Sequence, residues 1–563
     1  MSTPKAATAT TLRWAEDEEL EEEDRARLTG PGAVFEMVDL EVLGTTVRGF
    51  ARRPRSVAEM LLDATERFGE RPFLVFPARS LSFAGLATAA RSIAGALRDR
   101  YGVGPGDRVA IAAANVVGQP LTAWAVAMLG GVVVELNGWW TGEEMHAAIA
   151  LTEPVVVVGD RRRLERLDPA RVGCPLLSME DQLPALEGHP PIDVDPAVVG
   201  EDDPLAILFT SGTSGRPKGV VLSHRAHVHM VMQASLQGAK ALAAGRLRPP
   251  AANVTVGVSP MFHVSGFTTQ VIGGAYTGAT YVYPPPGRWD ERTHLRLTEG
   301  YRATAWSLVP TQLWRLLECP ELDSFDLSSL TRIGGGGATF DPELWRQVRR
   351  RLGPGVRMAT GYGMSETCGS GTHLDGTDAD EHPDSLGRPG PGSEIRVVGL
   401  DGRPLPDGEV GQICLRGPAT MVGYWADQEA TDRALDADRW YRTGEWGHID
   451  GGLLYLDGRG SELIVRGGEN VYPIEIENVL LAHPDIVEAA VVGVAHRTLG
   501  EEVAAAVVAR PGARLERAEV RAWVAAHLAA FKVPSQVILA DSLPRNAAGK
   551  VLKRLLVSSL ASG

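Results

Sequence analysis

With 563 residues, the chain is too long for one hydrophobic core, and two or more domains are expected. A composition of 44% hydrophobic and 22% charged residues is that of an ordinary globular protein, not of a collagenous or low-complexity one. A formal net charge of −14 argues against a nucleic-acid partner, which calls for a basic face, and leaves room for a small anion in a locally positive site.

Residues 1–14 are polar and lack the apolar centre of a signal peptide, so a cytoplasmic location is expected. Residues 1–54 read as an acidic N-terminal extension. Its block from Glu16 to Asp24, interrupted only by Leu20, is expected to be solvated and tail-like, with no chemistry. The longest apolar run, Leu121 to Val134, is too short and too glycine-interrupted to span a bilayer. It reads as a buried helix running into a core strand. Cys174, Cys319, Cys368 and Cys414 are far apart in sequence and read as small buried thiols rather than metal ligands or a redox pair.

From residue 55 onward, short apolar runs alternate with helical patterns. The runs include 108–114, 154–158, 205–209, 303–309 and 395–398. The valines of 154–158 do not alternate with polar residues, as expected of a strand buried on both faces. Between the runs, Asp341 is a fitting N-cap and Pro342 suits the first helical position. Leu344, Val348 and Leu352 then share one stripe, and Gly353-Pro354-Gly355 ends the helix. The alternation predicts an α/β fold with mainly parallel sheets. The texture changes near Asp457-Gly458-Arg459, which predicts a large domain over 55–457 and a small α+β domain over 458–563. The small domain should hold strands over 488–494 and 503–508 and a helix over 517–530.

The most informative local feature is the apolar run Leu205–Phe209 followed by Thr210, Ser211, Gly212, Thr213, Ser214, Gly215, Arg216, Pro217, Lys218 and Gly219. A buried strand delivers a loop rich in Gly, Ser and Thr that ends in a lysine. Glycines let backbone N–H groups approach phosphate oxygens, hydroxyls donate, and Lys218 adds charge. Pro217 stands where a Walker loop needs its second glycine, so the loop is of another kind. The plain alternative is a flexible surface loop. His224, His227 and His229 follow on a probable helix without a supporting ligand set, so no metal is expected there. Trp139 and Trp140 are expected to be packing residues.

The string from Thr210 to Gly219 resembles the signature loop of the adenylate-forming superfamily, which contains acyl-CoA synthetases and aryl acid:CoA ligases. Further matches follow in the same order as in that family. They are Gly334-Gly335-Gly336-Gly337-Ala338, Tyr362-Gly363-Met364-Ser365-Glu366-Thr367, and Tyr441-Arg442-Thr443-Gly444-Glu445. Gly458-Arg459, the stretch Arg466 to Pro473, and the stretch Pro544 to Lys550 complete the series. The resemblance runs from about residue 55 to the C-terminus.

The resemblance implies a two-step reaction. A carboxylate attacks the α-phosphate of ATP to give acyl-AMP and pyrophosphate, and the thiol of coenzyme A then takes the acyl group. Two anions must meet in the first step, so charge has to be neutralised where it concentrates. By resemblance Glu366 holds Mg²⁺, an oxygen-seeking cation, with Ser365 beside it, and Lys550 reaches between carboxylate and α-phosphate. Thr210, Ser211, Gly212, Thr213, Ser214, Gly215 and Lys218 would cradle the outer phosphates. Gly336, Gly337, Ala338, Tyr362 and Gly363 would hold adenine, and Glu445 and Arg459 the ribose. The stretch Pro260 to Gly266 resembles the family's acyl-pocket segment. Phe262, His263, Phe267, Val271, Trp306 and Met364 would line an apolar pocket for a fatty, aryl or polycyclic acid. Rotation of the small domain about Ser461 would bring Arg466, Gly467, Gly468 and Glu469 to line the pantetheine channel.

Three positions depart from the family pattern. Glu445 stands for an aspartate, Ser365 for a threonine, and Ser461 for the usual Asp or Lys of the hinge. A ribose hydrogen bond lost through the longer Glu445 would cost roughly 1.5–3 kcal/mol, so ATP use is the step these changes touch most. A protein that accepts acyl-AMP made elsewhere and performs only the thiol step is therefore one alternative. An acyl-AMP ligase loading a carrier protein is a second. A non-catalytic nucleotide or acyl sensor is a third, opposed by Lys550 and Glu366. The implied partners are a small carboxylic acid and CoA, with no nucleic acid and no membrane span. A carrier protein and a homodimer are left open.

Overall fold

The computed structural model describes residues 10–14, 20–211, 217–245, 252–336, 342–399, 401–459, 464–471, 473–510, 512–544, 553 and 556–557. Two seven-stranded sheets, largely parallel, form the centre of the large domain. The first runs, edge to edge, Gly423–Tyr424, Pro217–Ser223, Pro204–Ser211, Val132–Leu136, Arg108–Ala112, Val156–Gly159 and Leu176–Ser178. All its pairings from Pro204–Ser211 through Leu176–Ser178 are parallel, and Pro217–Ser223 and Gly423–Tyr424 join antiparallel at the other edge. The second is parallel from Arg357–Ala359 through Pro72–Phe76, with Arg79–Ser82 turning back at the edge.

The strands are buried on both faces where the apolar runs predict it. Val156, Val157 and Val158 are each fully buried, because helices cover both sides of a parallel sheet. The run from Leu121 becomes the helix Gly118–Met128 followed by the strand Val132–Leu136. The helix Pro342–Leu352 buries Leu344 and Val348 and stops at Gly353, whose φ of 87° needs a glycine. Asp341 lies outside the described residues.

Two expectations are corrected. The run Ile395–Val398 is not part of a parallel sheet. It belongs to a third, five-stranded antiparallel sheet ordered Thr11–Arg13, Glu394–Val398, Gly411–Arg416, Tyr441–Asp450 and Leu453–Arg459. That last strand includes Gly458 and Arg459, paired with Trp446 and Glu445. The described part of the N-terminal extension is also no tail. Thr11–Arg13 is the edge strand just named, and Met37–Val42 and Thr45–Phe50 form a hairpin. The acidic residues Glu21, Glu22 and Glu23 face solvent, while Leu20, Leu28, Phe35 and Phe50 enter the main core. Charge density describes one face of this segment, and its apolar residues decide where it sits.

The small domain has its own sheet and core. Ile464–Arg466, Glu469–Val471, Ile486–His496, Gly500–Ala509 and Gln536–Ala540 pair in one sheet. The helices Pro473–Leu481 and Arg517–His527 pack on it through Ile476, Leu480, Val520 and Val524.

Candidate active site

A cavity of about 1650 Å³ lies between the two domains, lined by residues from both. On the large-domain side the phosphate-loop segment forms a hairpin: Thr210 pairs with Lys218 across the antiparallel strands Pro204–Ser211 and Pro217–Ser223. Both residues line the cavity. The short strand Gly423–Tyr424 adds to the free edge of this hairpin, with Val220 opposite Tyr424. That register places the Lys218 Nζ 4.7 Å from the centroid of the Tyr424 ring, a cation–π contact.

Tyr424 in turn donates its phenolic O–H to Glu366 Oε1 at 2.9 Å. Glu366 sits in the 3₁₀ turn Ser365–Thr367, and its backbone carbonyl accepts from Met421 N at 2.8 Å. Its side chain is buried, and burial raises the carboxyl above its ordinary value. A backbone N–H, the hydroxyls of Tyr424 and Tyr441, and the charge of Lys218 pull the other way. Tyr424 and the ring of Tyr441 were not predicted as site residues. Nothing local marks Tyr424, since it reaches Glu366 only through the pairing of distant strands.

The donor set fits Mg²⁺ of one kind. Glu366 offers a buried carboxylate beside the phosphate hairpin, and no cluster of three or more His, Cys, Asp or Glu occurs among the described residues. Such a site would hold the ion through Glu366 together with nucleotide phosphates and water, as suits a cation that dehydrates reluctantly.

Gly336, Tyr362, Gly363, Met364 and Ser365 line the same cavity. Tyr362 is fixed by a pair of backbone contacts with Thr372: its N–H donates to Thr372 Oγ1 at 3.0 Å and its carbonyl accepts from Thr372 N at 2.9 Å. Glu445 lines the cavity and pairs in register with Arg459 on the next strand, so the backbone brings the two expected ribose residues side by side. The side chains of Ser211 and Arg459 lie outside the described residues, as do Gly212, Thr213, Ser214, Gly215, Gly337, Ala338, Ser461 and Lys550.

At the acid end, Phe262, His263 and Met364 line the cavity. Phe267, Val271 and Trp306 do not. Each is 1% exposed; Phe267 and Val271 sit in the main core and Trp306 in a second one. Trp306 also donates its indole N–H to Thr298 Oγ1 at 2.9 Å. Apolar character marks all these residues as buried, and only the fold decides which face a void. Trp139, expected to pack, is instead 42% exposed at the cavity wall, edge-on to Phe262 with centroids 5.1 Å apart. Trp140 is buried against Phe209 as expected. His224, His227 and His229 are buried and take up structural contacts: His224 accepts from Val57 N, His227 meets Thr268 Oγ1, and His229 meets the Pro391 carbonyl.

The small domain supplies the opposite wall with Arg466, Gly467, Gly468 and Glu469. Arg466 is held by Glu502, with Nε to Oε1 at 2.5 Å. Gly467 and Gly468 have φ of 60° and 90°. A Cβ on Gly468 would come within 2.9 Å of Val309 in the large domain, so the turn approaches closer than a side chain allows. Glu469 Oε1 lies 3.3 Å from His263 Nε2.

A phosphate-ready hairpin, a buried carboxylate and an aromatic pocket in one interdomain cavity define an enzyme that brings a nucleotide and an apolar acid together. The AMP-binding enzyme family profile matches residues 61–425, and that of the AMP-binding enzyme C-terminal domain matches 475–550. The chain is 36% identical over 494 residues to the indoleacetate–CoA ligase of Aromatoleum aromaticum, covering 85% of this chain and 93% of the relative. It is 32% identical over 480 residues to a feruloyl-CoA synthase of an Amycolatopsis species, covering 84% and 93%. An o-succinylbenzoate CoA synthetase variant of Bacillus subtilis, bound with a product analogue, superposes with a TM-score of 0.76 at 26% identity, covering 89% and 98%. The chain belongs to the AMP-binding enzyme family and is of its acyl-CoA synthetase type. No helix among the described residues is long and apolar enough to cross a membrane.

Proposed function

We propose that the protein joins an aryl or similarly apolar carboxylic acid to CoA through an acyl-adenylate, splitting ATP to AMP and pyrophosphate, in the cytoplasm. One observation carries the reading. A single cavity is lined by Thr210, Lys218 and Glu366 on one side and by the Arg466–Glu469 turn on the other, so phosphate and thiol chemistry share a space. The relatives named for indoleacetate and ferulate support a planar acid. Phe262, Trp139 and Met364 around the cavity are suited to one.

In the first step a carboxylate oxygen bonds to the α-phosphorus as the bond to pyrophosphate breaks. Lys218 would offset charge on the outer phosphates and the hydroxyl of Thr210 would donate to them, and Glu366, kept in place by Tyr424 and Tyr441, would hold Mg²⁺. Bound Mg²⁺ would supply charge neutralisation on the phosphate oxygens. In the second step the thiol sulfur bonds to the acyl carbon and AMP departs. Arg466–Glu469 would guide the thiol between Gly468 and the aromatic wall, where Glu469 Oε1 lies 3.3 Å from His263 Nε2. Lys550 would act in the first step and Ser461 as hinge.

The test is product analysis by mass spectrometry with ATP, Mg²⁺, CoA and a panel of indole-3-acetate, ferulate, coumarate and a long-chain fatty acid. Aryl-CoA and AMP in equal amounts are expected. Adenylate formation without thioester would point to a carrier-borne thiol as acceptor. Thioester from supplied acyl-adenylate but never from ATP would show that only the second step is catalysed. Neither product from any acid, with or without supplied adenylate, would sink the reading.

A further inference from the structure

Lys532 closes the 3₁₀ turn Ala530–Lys532 that follows the helix Arg517–His527 of the small domain. Its Nζ lies 2.7 Å from Glu475 Oε1 and 2.9 Å from Glu144 Oε1, and the three side chains are 2%, 4% and 7% exposed. Glu475 stands in the first turn of Pro473–Leu481, in the same domain as Lys532. Glu144 stands in the first turn of Gly142–Thr152, in the large domain. The bridge therefore crosses the interface between domains, in an apolar seat: Ala529 is buried in the large-domain cluster that holds Trp140 and Phe209, and Phe531 packs against it. Burial works against the Lys532 charge, but Glu475 and Glu144 outweigh it and keep the ammonium protonated. Salt screens such a pair far less than an exposed one. The Arg497–Glu318 contact between the domains has an arginine that is 85% exposed and contributes little.

Two details make the bridge releasable. Glu144 is preorganised without Lys532, since its other oxygen accepts from the Thr141 backbone at 2.8 Å and the Thr141 hydroxyl at 3.0 Å. On the other side, Lys532 retains Glu475 if the small domain moves away. Separation thus breaks one bond and leaves no ammonium unpaired, whereas an apolar substitute would have no such directional fit.

We propose that Lys532 is a positioning residue for thiol transfer: by bridging Glu475 to Glu144 it latches the small domain where Arg466–Glu469 faces the cavity. The proposal rests on the acid:CoA ligase reading. Thr210, Lys218 and Glu366, which serve the phosphate chemistry, belong to the large domain and are not among the polar partners of the bridge within the described residues. Loosening it shifts the thiol-facing turn and leaves them in place.

The first variant is Glu144→Gln, which keeps an acceptor for Thr141 and leaves the Lys532–Glu475 pair intact. Transfer from supplied aryl-adenylate to CoA should fall about tenfold, while CoA-independent pyrophosphate release stays within about twofold. Lys532→Met, which leaves two carboxylates facing each other, should show the same split more strongly. Equal loss in both half-reactions, or no loss in either, overturns the proposal. A second measurement needs no turnover: spin labels at Tyr301→Cys and Val487→Cys in a Cys174→Ser background report the interdomain distance. A narrow distribution that broadens with Glu144→Gln is expected, and an unchanged one overturns the latch. Broadening in a protein whose parent makes no acyl-CoA would keep the latch and overturn the ligase reading alone.

Discussion

His263 Nε2 and Glu469 Oε1 stand 3.3 Å apart across the domain interface, so the thiol-facing turn is tied to the wall of the acid pocket through a single imidazole. The ring is also flanked by Phe262, with centroids 4.8 Å apart, and by Trp139 at 6.0 Å. Glu469 and the ring adjoin at the junction where acyl carbon and thiol must meet. Replacing Glu469 by Gln removes the charge and keeps the shape. Acyl transfer to CoA should fall by up to about fivefold, the scale of a partly exposed pair, while pyrophosphate release without CoA stays unchanged. Parallel loss of both activities would show that the contact serves the fold rather than the second step.

The close approach of Gly468 to Val309 gives a second expectation. Alanine at 468 meets two penalties, a φ of 90° that L-residues rarely adopt and a Cβ within 2.9 Å of a Val309 methyl. The turn must back away, so Gly468→Ala should raise the KM for CoA more than the KM for ATP. Adding Val309→Ala removes the clash but not the backbone strain and should restore part of the loss. Steady-state kinetics of the single and double variants checks the order, and no rescue would mean that strain alone accounts for the effect.

Tyr424 touches both Lys218 and Glu366. Tyr424→Phe keeps the ring under the ammonium and removes the 2.9 Å hydrogen bond to Glu366. A hydrogen bond to a charged group contributes roughly 1.5–3 kcal/mol, so adenylation should slow about tenfold or more and require more Mg²⁺ for half-maximal rate. Tyr424→Leu removes the cation–π contact as well and should cost more. Titrating Mg²⁺ against the rate of pyrophosphate release separates the two, and identical curves for Tyr424→Phe and the parent would remove Tyr424 from the site.

Much of this was readable in the sequence because it is local. The strand before Thr210, the glycines at 467 and 468, and the stop at Gly353 of the helix ending at Leu352 each depend on neighbours within a few residues. What could not be read depends on distant pairing. Tyr424 reaches Glu366 because a two-residue strand joins a hairpin two hundred positions earlier, and Lys532 meets Glu144 only through domain docking. Trp139 and Trp306 are the same residue type in similar apolar surroundings, yet one borders the cavity and the other fills a core, because a hydrophobic pattern records burial and not which buried face adjoins a void. The third sheet is hidden in the sequence for a related reason: Ile395–Val398 is as apolar as a parallel strand, and only its partners make it antiparallel.

Buried histidines make acid stability the last expectation. Burial lowers His224 and His229 to about 4, and His227 and His294 to about 3, from an ordinary 6.5. For each, the folded ring stays neutral while the unfolded one gains a proton below pH 6.5. The unfolded state then binds more protons, so stability is fully present above pH 6.5 and is lost as pH falls toward 4 and 3. Glu135 and Glu475 are raised by burial and have the opposite sign: the folded carboxyls take up protons before the unfolded ones, which favours folding as pH falls toward their ordinary values. The parent's net pH dependence sums both signs, and a single-histidine variant separates out the histidine effect. His294 isolates it, being 1% exposed between Trp289 and Trp306, outside the cavity, with neither ring nitrogen hydrogen-bonded among the described residues. His294→Phe should therefore gain about 1.4 kcal/mol on the parent between pH 7.5 and pH 5.5, read from urea unfolding at the two pH values. A difference between the two proteins that does not change with pH would show that the ring titrates normally in the fold.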